Sequence, residues 1–130
     1  MTESSESFGL SSIGQIAVVV HALEGAVGFY RDVLGMRLLF QVPGMAFFDC
    51  GGIRLMLGPP SKPEYDHPAS ILYYRVEDIE AAHHTLAERG VAFEQPPQLV
   101  HKAEDHDLWL AFFRDIENNL LALMSEVPRS

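Results

Sequence analysis

Six histidines (His21, His67, His83, His84, His101 and His106) and one cysteine, Cys50, are the chain's main resources for metal, proton or nucleophile chemistry. The run His101-Lys102-Ala103-Glu104-Asp105-His106-Asp107 has the composition of a metal loop and could overhang a cleft as a lid. A divalent ion needs several strong donors converging on one point, and no second ligand group stands elsewhere in the sequence. The segment therefore reads as a polar loop before a strand, with His101 or His106 placed to touch a ligand. His83 and His84 are neighbours on an expected helix, so they point to different faces and read as solvated. His21 sits at the exit of an expected strand, where a polar residue is ordinary. Cys50 precedes two glycines and reads as a small buried apolar residue. Arg54 and Arg75 are suited to a carboxylate ligand. No Ser-His-Asp order, phosphate-cradling glycine loop or close carboxylate pair stands out.

Composition narrows what these residues can serve. The 130 residues fit one domain with a sizeable core, and 48% of them are hydrophobic. One cysteine excludes a disulfide framework and a cysteine-based zinc ribbon. The formal net charge of −9 argues against nucleic acid and against an anionic membrane surface. Residues 1–12 are rich in Ser and Glu, without a basic start or an apolar stretch, and read as a flexible tail rather than a signal peptide. A cytoplasmic protein with a free thiol is expected.

The positioning elements follow from periodicity. Residues 13–20 are apolar and β-branched and predict a strand. Within 22–34, apolar residues at Leu23, Ala26, Val27, Tyr30, Val33 and Leu34 predict an amphipathic helix closed by Gly35. Strands are expected over 36–42, 45–50 and 53–57, separated by Pro43-Gly44 and Gly51-Gly52. The proline-rich stretch 59–69 reads as a linker. A strand over 71–76 follows, then a helix capped by Asp78 and closed by Gly90. Short strands are expected over 91–94, 108–113 and 120–124.

This order is an internal repeat. Val20 and Val76, Leu23 and Ile79, and Ala26 and Ala82 are each 56 residues apart; Gly35 and Gly90 are 55 apart. Two βαβββ modules, 13–58 and 70–127, are therefore expected. As an α+β fold they would form a half-open, eight-stranded, barrel-like sheet with a ligand cleft on the face away from the helices. Strand alternation puts Gln15, Ala17, Val19, Arg54 and Met56 on the cleft side of the first module. It puts Ile71, Tyr73, Arg75, Leu120, Ala122 and Met124 there in the second. Phe47, Trp109 and Phe113 are aromatic candidates for the same cleft.

The chain resembles the vicinal oxygen chelate superfamily, which includes glyoxalase I, bleomycin-resistance proteins and extradiol dioxygenases. The resemblance spans 13–127. It rests on Phe29-Tyr30-Arg31-Asp32-Val33-Leu34-Gly35, on Val76-Glu77-Asp78-Ile79, on Gly90-Val91-Ala92-Phe93 and on Phe113-Arg114-Asp115 with Asn119. The Pro-Asp-Gly centre of the family's last turn is replaced by Ile116-Glu117-Asn118. Metal-dependent members carry ligands at positions equivalent to Gln15, Met56, Ile71 and Ala122. An amide, a thioether and two alkyl groups poorly suit the metals of that superfamily.

The resemblance thus implies a metal-free protein without a cofactor, binding a small, partly apolar ligand. The expected ligand residues are Gln15, Phe47, Arg54, Met56, Ile71, Tyr73, Trp109, Ala122 and His101. The alternative is a glyoxalase-like lyase, isomerase or dioxygenase holding a divalent metal with Gln15 and His101 or His106. Family habit and open edge strands imply a homodimer.

Overall fold

The computed structural model describes residues 8–129. Of the tail expected over 1–12, residues 1–7 lie outside the described residues, and 8–12 are exposed and in no helix or strand. Module one runs β1 (Gln15–Val19), α1 (Leu23–Gly28), a π-helical turn (Phe29–Val33), β2 (Arg37–Val42), β3 (Met45–Cys50) and β4 (Ile53–Gly58). A 3₁₀ turn (Pro63–Tyr65) lies in the linker. Module two runs β5 (Leu72–Arg75), α2 (Ile79–Glu88), β6 (Gln98–Lys102), β7 (His106–Arg114) and β8 (Leu120–Pro128).

The strands form two four-stranded sheets, ordered β1-β4-β3-β2 and β5-β8-β7-β6. In each, the first and last strands of the module pair in parallel at one side, and the remaining pairs are antiparallel. The α+β class and the duplicated module match the sequence reading. The eight strands are nevertheless divided into two sheets that do not join or close.

The second strand of module two differs from expectation. Residues 91–94 form no strand; Phe93 makes one isolated bridge to Phe113. β6 takes that place, in a stretch read as unstructured. Pro96 and Pro97 supply no N–H to a ladder, so pairing starts only at Gln98. β6 also carries a bulge between Leu99 and His101. The polar run 101–107 is therefore mostly strand, with His101 in β6 and His106 opening β7, and only a short turn between them.

Alternation gives each sheet one face for the core. Val18, Ala46, Phe48, Leu55 and Leu57 from module one join Ala111, Phe113, Leu121 and Leu123 from module two. Ala26, Val27, Tyr30, Ile79 and Leu86 from the helical segments complete this single cluster. Burying a side chain such as Leu57 or Phe113 contributes about 1.5–3 kcal/mol. The helix-bearing faces of both sheets thus share one core, and the other two faces look outward.

The slip of the repeat from 56 to 55 has a structural cause. Leu34 donates to the Phe29 carbonyl (2.9 Å), five residues back, so the first helix carries one extra residue in a wide turn. Gly35 then reverses the chain at φ +74°, in the region glycine adopts without strain. The second helix is regular, and the Asp78 carboxylate caps it by accepting from the Ala81 N–H (3.0 Å).

The turn from β7 to β8 fastens the modules together. Asp115 is buried and accepts from the Tyr30 hydroxyl (2.7 Å), the Glu117 and Asn119 N–H groups (2.8 Å each) and the Asn119 amide (3.0 Å). Asn119 also donates to the Val19 carbonyl (3.3 Å). Ile116 lies over Gly25, where a Cβ would stand 3.0 Å from the Ile116 Cδ1. Burial, reinforced by Asp115, pushes the Tyr30 phenol well above its ordinary range.

Candidate functional site

The outward face of the first sheet collects four of the expected residues. Cross-strand register sets Gln15 beside Arg54, and Ala17, Met56 and Phe47 in one row. Arg54 donates to the Gln15 side-chain oxygen (3.1 Å) and lies 5.5 Å from the centre of the Phe47 ring. The Gln15 amide points at the Met56 sulfur (3.9 Å). Phe47 stacks on Phe40 at 4.5 Å, and Phe40 is 45% exposed. This surface is apolar at its centre, with Arg54, Asp49 and Arg37 in register along one side.

The outward face of the second sheet is a groove of about 640 Å³. Its floor includes Ile71, Tyr73, Leu110, Phe112 and Leu120, and Gln98, Leu99 and Val100 form one wall. Tyr73 and Phe112 meet edge to face at 5.9 Å. Both are cross-strand partners of Ala122, which is fully buried between them. Arg114, at the groove's end, is already paired with Glu94 (2.8 Å). The groove therefore presents aromatic and aliphatic surface, lined also by Glu94, Gln95, Gln98 and Arg114, and is suited to a partly apolar ligand.

Further along the same face, Glu126 receives His106 (3.2 Å) and Arg75 (3.5 Å), and Asp105 pairs with the other ring nitrogen of His106 (2.8 Å). His106 holds Asp105 below the usual carboxylate range. Arg75 is thus engaged by a carboxylate of the chain itself.

The expected site residues divide as follows. Gln15, Phe47, Arg54 and Met56 stand together on the first sheet. Ile71, Tyr73 and Ala122 stand together on the second, with Ala122 on the expected side but covered. Trp109 does not join them: it pairs with Leu99 and Ser125 and packs toward the core, as does Phe113. β7 alternates so that Leu110 and Phe112 face outward, and a tryptophan one residue off that parity cannot. His101 lies on the outward side of β6 opposite Leu108, outside the groove lining. Leu110, Phe112 and Gln98 were missed. The signal for Phe112 was available, because Phe112 and Phe113 must face opposite ways and only one can enter the core. Cys50 is half-buried, and burial, with Asp49 adding, pushes its thiol up and away from nucleophile chemistry.

The family's metal positions do not fit a metal here. Gln15 and Met56 offer one amide and one soft sulfur; Ile71 offers none, and Ala122 lies sealed between two aromatic rings. Among the described residues no group of three or more His, Cys, Asp or Glu could hold an ion. Among those residues no helix is long and apolar enough to cross a membrane.

With this geometry the chain's kinship is clear. It belongs to the Glyoxalase/Bleomycin resistance protein/Dioxygenase superfamily, whose sequence model matches residues 12–123. It is 28% identical to the uncharacterized protein YraH of Bacillus subtilis (strain 168), over 84% of this chain and 94% of that one. It is similar to the solved structure of TnmS3, an antibiotic binding protein from Streptomyces sp. CB03234, with 25% identity, a TM-score of 0.71 and coverage of 94% and 99% of the two chains. It shares the fold of a lactoylglutathione lyase from Agrobacterium tumefaciens at 19% identity and a TM-score of 0.73, over 90% and 95% of the chains.

Proposed function

We propose that this protein is a metal-free binding protein that holds a small, partly apolar molecule against the groove of its second sheet. The observation that carries this reading is Ala122. At a position where metal-dependent relatives carry a ligand, an alanine lies buried between Tyr73 and Phe112. The surface above it is aromatic, so it recognises flat or aliphatic surface rather than a metal-chelating oxygen pair. The likeness to an antibiotic binding protein supports the same reading.

The reading includes a homodimer and a cytoplasmic location. Each outward face leaves large apolar groups in water, among them Phe40 and Met45 on one and Ile71 (40% exposed) and Tyr73 (47% exposed) on the other. Covering them with a second copy would remove that exposure. Elemental analysis of protein purified without a metal-affinity tag is the test of the metal-free state. A divalent metal at one equivalent per chain would overturn it. Light scattering on the same sample reads the dimer, and a monomer at micromolar concentration would remove that part.

A further inference from the structure

The helix side of the second sheet holds another cavity, of about 350 Å³, which falls within the common range for small ligands. Leu34 and Met36 wall it from module one; Tyr74, Val76, Phe113 and Leu123 wall it from module two. Phe113 and Leu123 point to this side of the sheet, whereas Leu110 and Phe112 point to the groove. The two sites therefore lie on opposite faces of one sheet.

One face of α2 gives the cavity its polarity. Ala81, Ala82, Thr85, Leu86 and Arg89 recur at helical spacing along it. The two alanines leave the room. Thr85 and Arg89, one turn apart, put a hydroxyl and a guanidinium at one end. Arg89 is held there by its bond to the Val33 carbonyl (2.9 Å), which uses one of its five N–H donors. The ion pairs that arginines make among the described residues belong to Arg31, Arg75, Arg114 and Arg129. In a chain with net charge −9, an arginine without a carboxylate partner at the edge of an apolar cavity is an anion site in waiting.

We propose that this cavity binds a small amphiphilic monocarboxylate, its apolar body between α2 and the sheet and its carboxylate on Arg89 and Thr85. One cation matches one negative charge, and charge-assisted bonds to a guanidinium are the stronger kind. The apolar walls supply the contacts an alkyl or small aromatic body needs. Because Leu34 and Met36 belong to the other module, the bound molecule bridges the two modules and stabilises the folded chain.

The test is a titration of the full chain with sodium octanoate, and in parallel with 1-octanol, by calorimetry and thermal unfolding. Octanoate is expected to bind at one equivalent and raise the melting temperature. Arg89→Gln, which removes the charge and keeps an amide donor, is expected to weaken octanoate at least tenfold and leave octanol unchanged. Ala82→Phe is expected to abolish both; if it does not fold, Ala81→Leu, at the exposed rim, fills the same space. His84→Ala, on the solvent side of the same helix, is expected to change neither. The proposal is overturned if octanoate fails to saturate, if it still binds the filled variants, or if Arg89→Gln binds it as tightly as the parent. None of these outcomes depends on the groove's ligand or on the metal content.

Discussion

β3 and β7 run in step through Ala46 and Ala111, Phe47 and Phe112, and Phe48 and Phe113, each pair facing the same way. They part at the next turn. Module one ends on Cys50 and reverses through Gly51-Gly52, where the Gly52 N–H donates to the Asp49 carboxylate (3.2 Å). Module two puts Asp115 at the place of Cys50, and its turn reaches across to Tyr30, Val19, His21 and Ala22. A duplicated unit has thus kept its strand alternation in both copies and given the work of joining them to one copy's turn. The outward faces diverge likewise: a patch headed by Arg54 on one side, a groove floored by Tyr73 and Phe112 on the other.

The sharpest way to break this comparison is to remove one carboxylate from each turn. Asp115→Ala leaves the buried Tyr30 hydroxyl and several N–H groups without an acceptor, and is expected to cost about 3 kcal/mol. Asp49→Ala, beside the module-one turn, is expected to stay within about 0.5 kcal/mol. Urea denaturation of both variants measures the contrast, and equal losses would show that the second turn fastens nothing. The next largest effect concerns the faces. Phe112→Asp is expected to weaken binding of the neutral dye N-phenyl-1-naphthylamine about tenfold, roughly 1.4 kcal/mol. Phe47→Asp, at the equivalent place, should change it less than about twofold. Fluorescence titration reads this, and the reverse order would move the ligand surface to the first sheet.

What the sequence disclosed follows the same division. The repeat, the helices and the facing of Gln15, Met56, Ile71 and Tyr73 were legible because they rest on local periodicity and on the spacing of Val20 and Val76. Even the one-residue slip at Gly35 and Gly90 carried the π-helical turn, although nothing local distinguishes a wide turn from a loop insertion. β6 was hidden because it is an edge strand with a bulge, and its charged neighbours make poor periodicity. Trp109 was misplaced because a strand of nearly all apolar residues has no polar face to fix its parity. The cross-module part of the Asp115 network was invisible, since its bonds span 85 to 100 residues of the chain. The division into two outward faces was invisible too, because it depends on how the modules pack and not on how each is built.

A smaller effect sharpens the comparison inside the core. Where module one has Val18, module two has Tyr74, whose buried hydroxyl finds no hydrogen-bond partner among the described residues. Burial pushes its phenol above the ordinary range, with Cys50 and Asp115 adding. An unmet buried hydroxyl costs about 1–3 kcal/mol, so Tyr74→Phe is expected to stabilise by up to about 1 kcal/mol. A loss of stability in the same urea assay would mean that the hydroxyl has a partner after all.

The smallest effect is a pH dependence at the edge of the joint. His21 follows β1 where Glu77 follows β5, and its ring links two carboxylates: Nε2 meets Asp66 of the linker (2.8 Å) and Nδ1 meets Glu117 of the fastening turn (3.1 Å). The hydrogen bond to Asp66, then that to Glu117, raises its pKa above 6.5. The backbone N–H of His21 is the main cause that lowers Glu117 below 4.5, with a further bond from the Ala22 N–H. The signs are opposite and set a window. The raised histidine contributes stability fully below its unfolded value of 6.5 and loses it as pH rises through the folded value. The lowered glutamate contributes above its unfolded value of 4.5 and loses it as pH falls through the folded one. The link is therefore strongest between those two values. His21→Gln should narrow the gap to the parent as pH rises above 6.5, since the neutral ring has little charge attraction left to lose. The exposed ring keeps the whole effect small. Melting temperatures of parent and variant across that range read it directly. A gap that stays constant with pH would leave the joint to Asp115 and the two backbone N–H groups on Glu117.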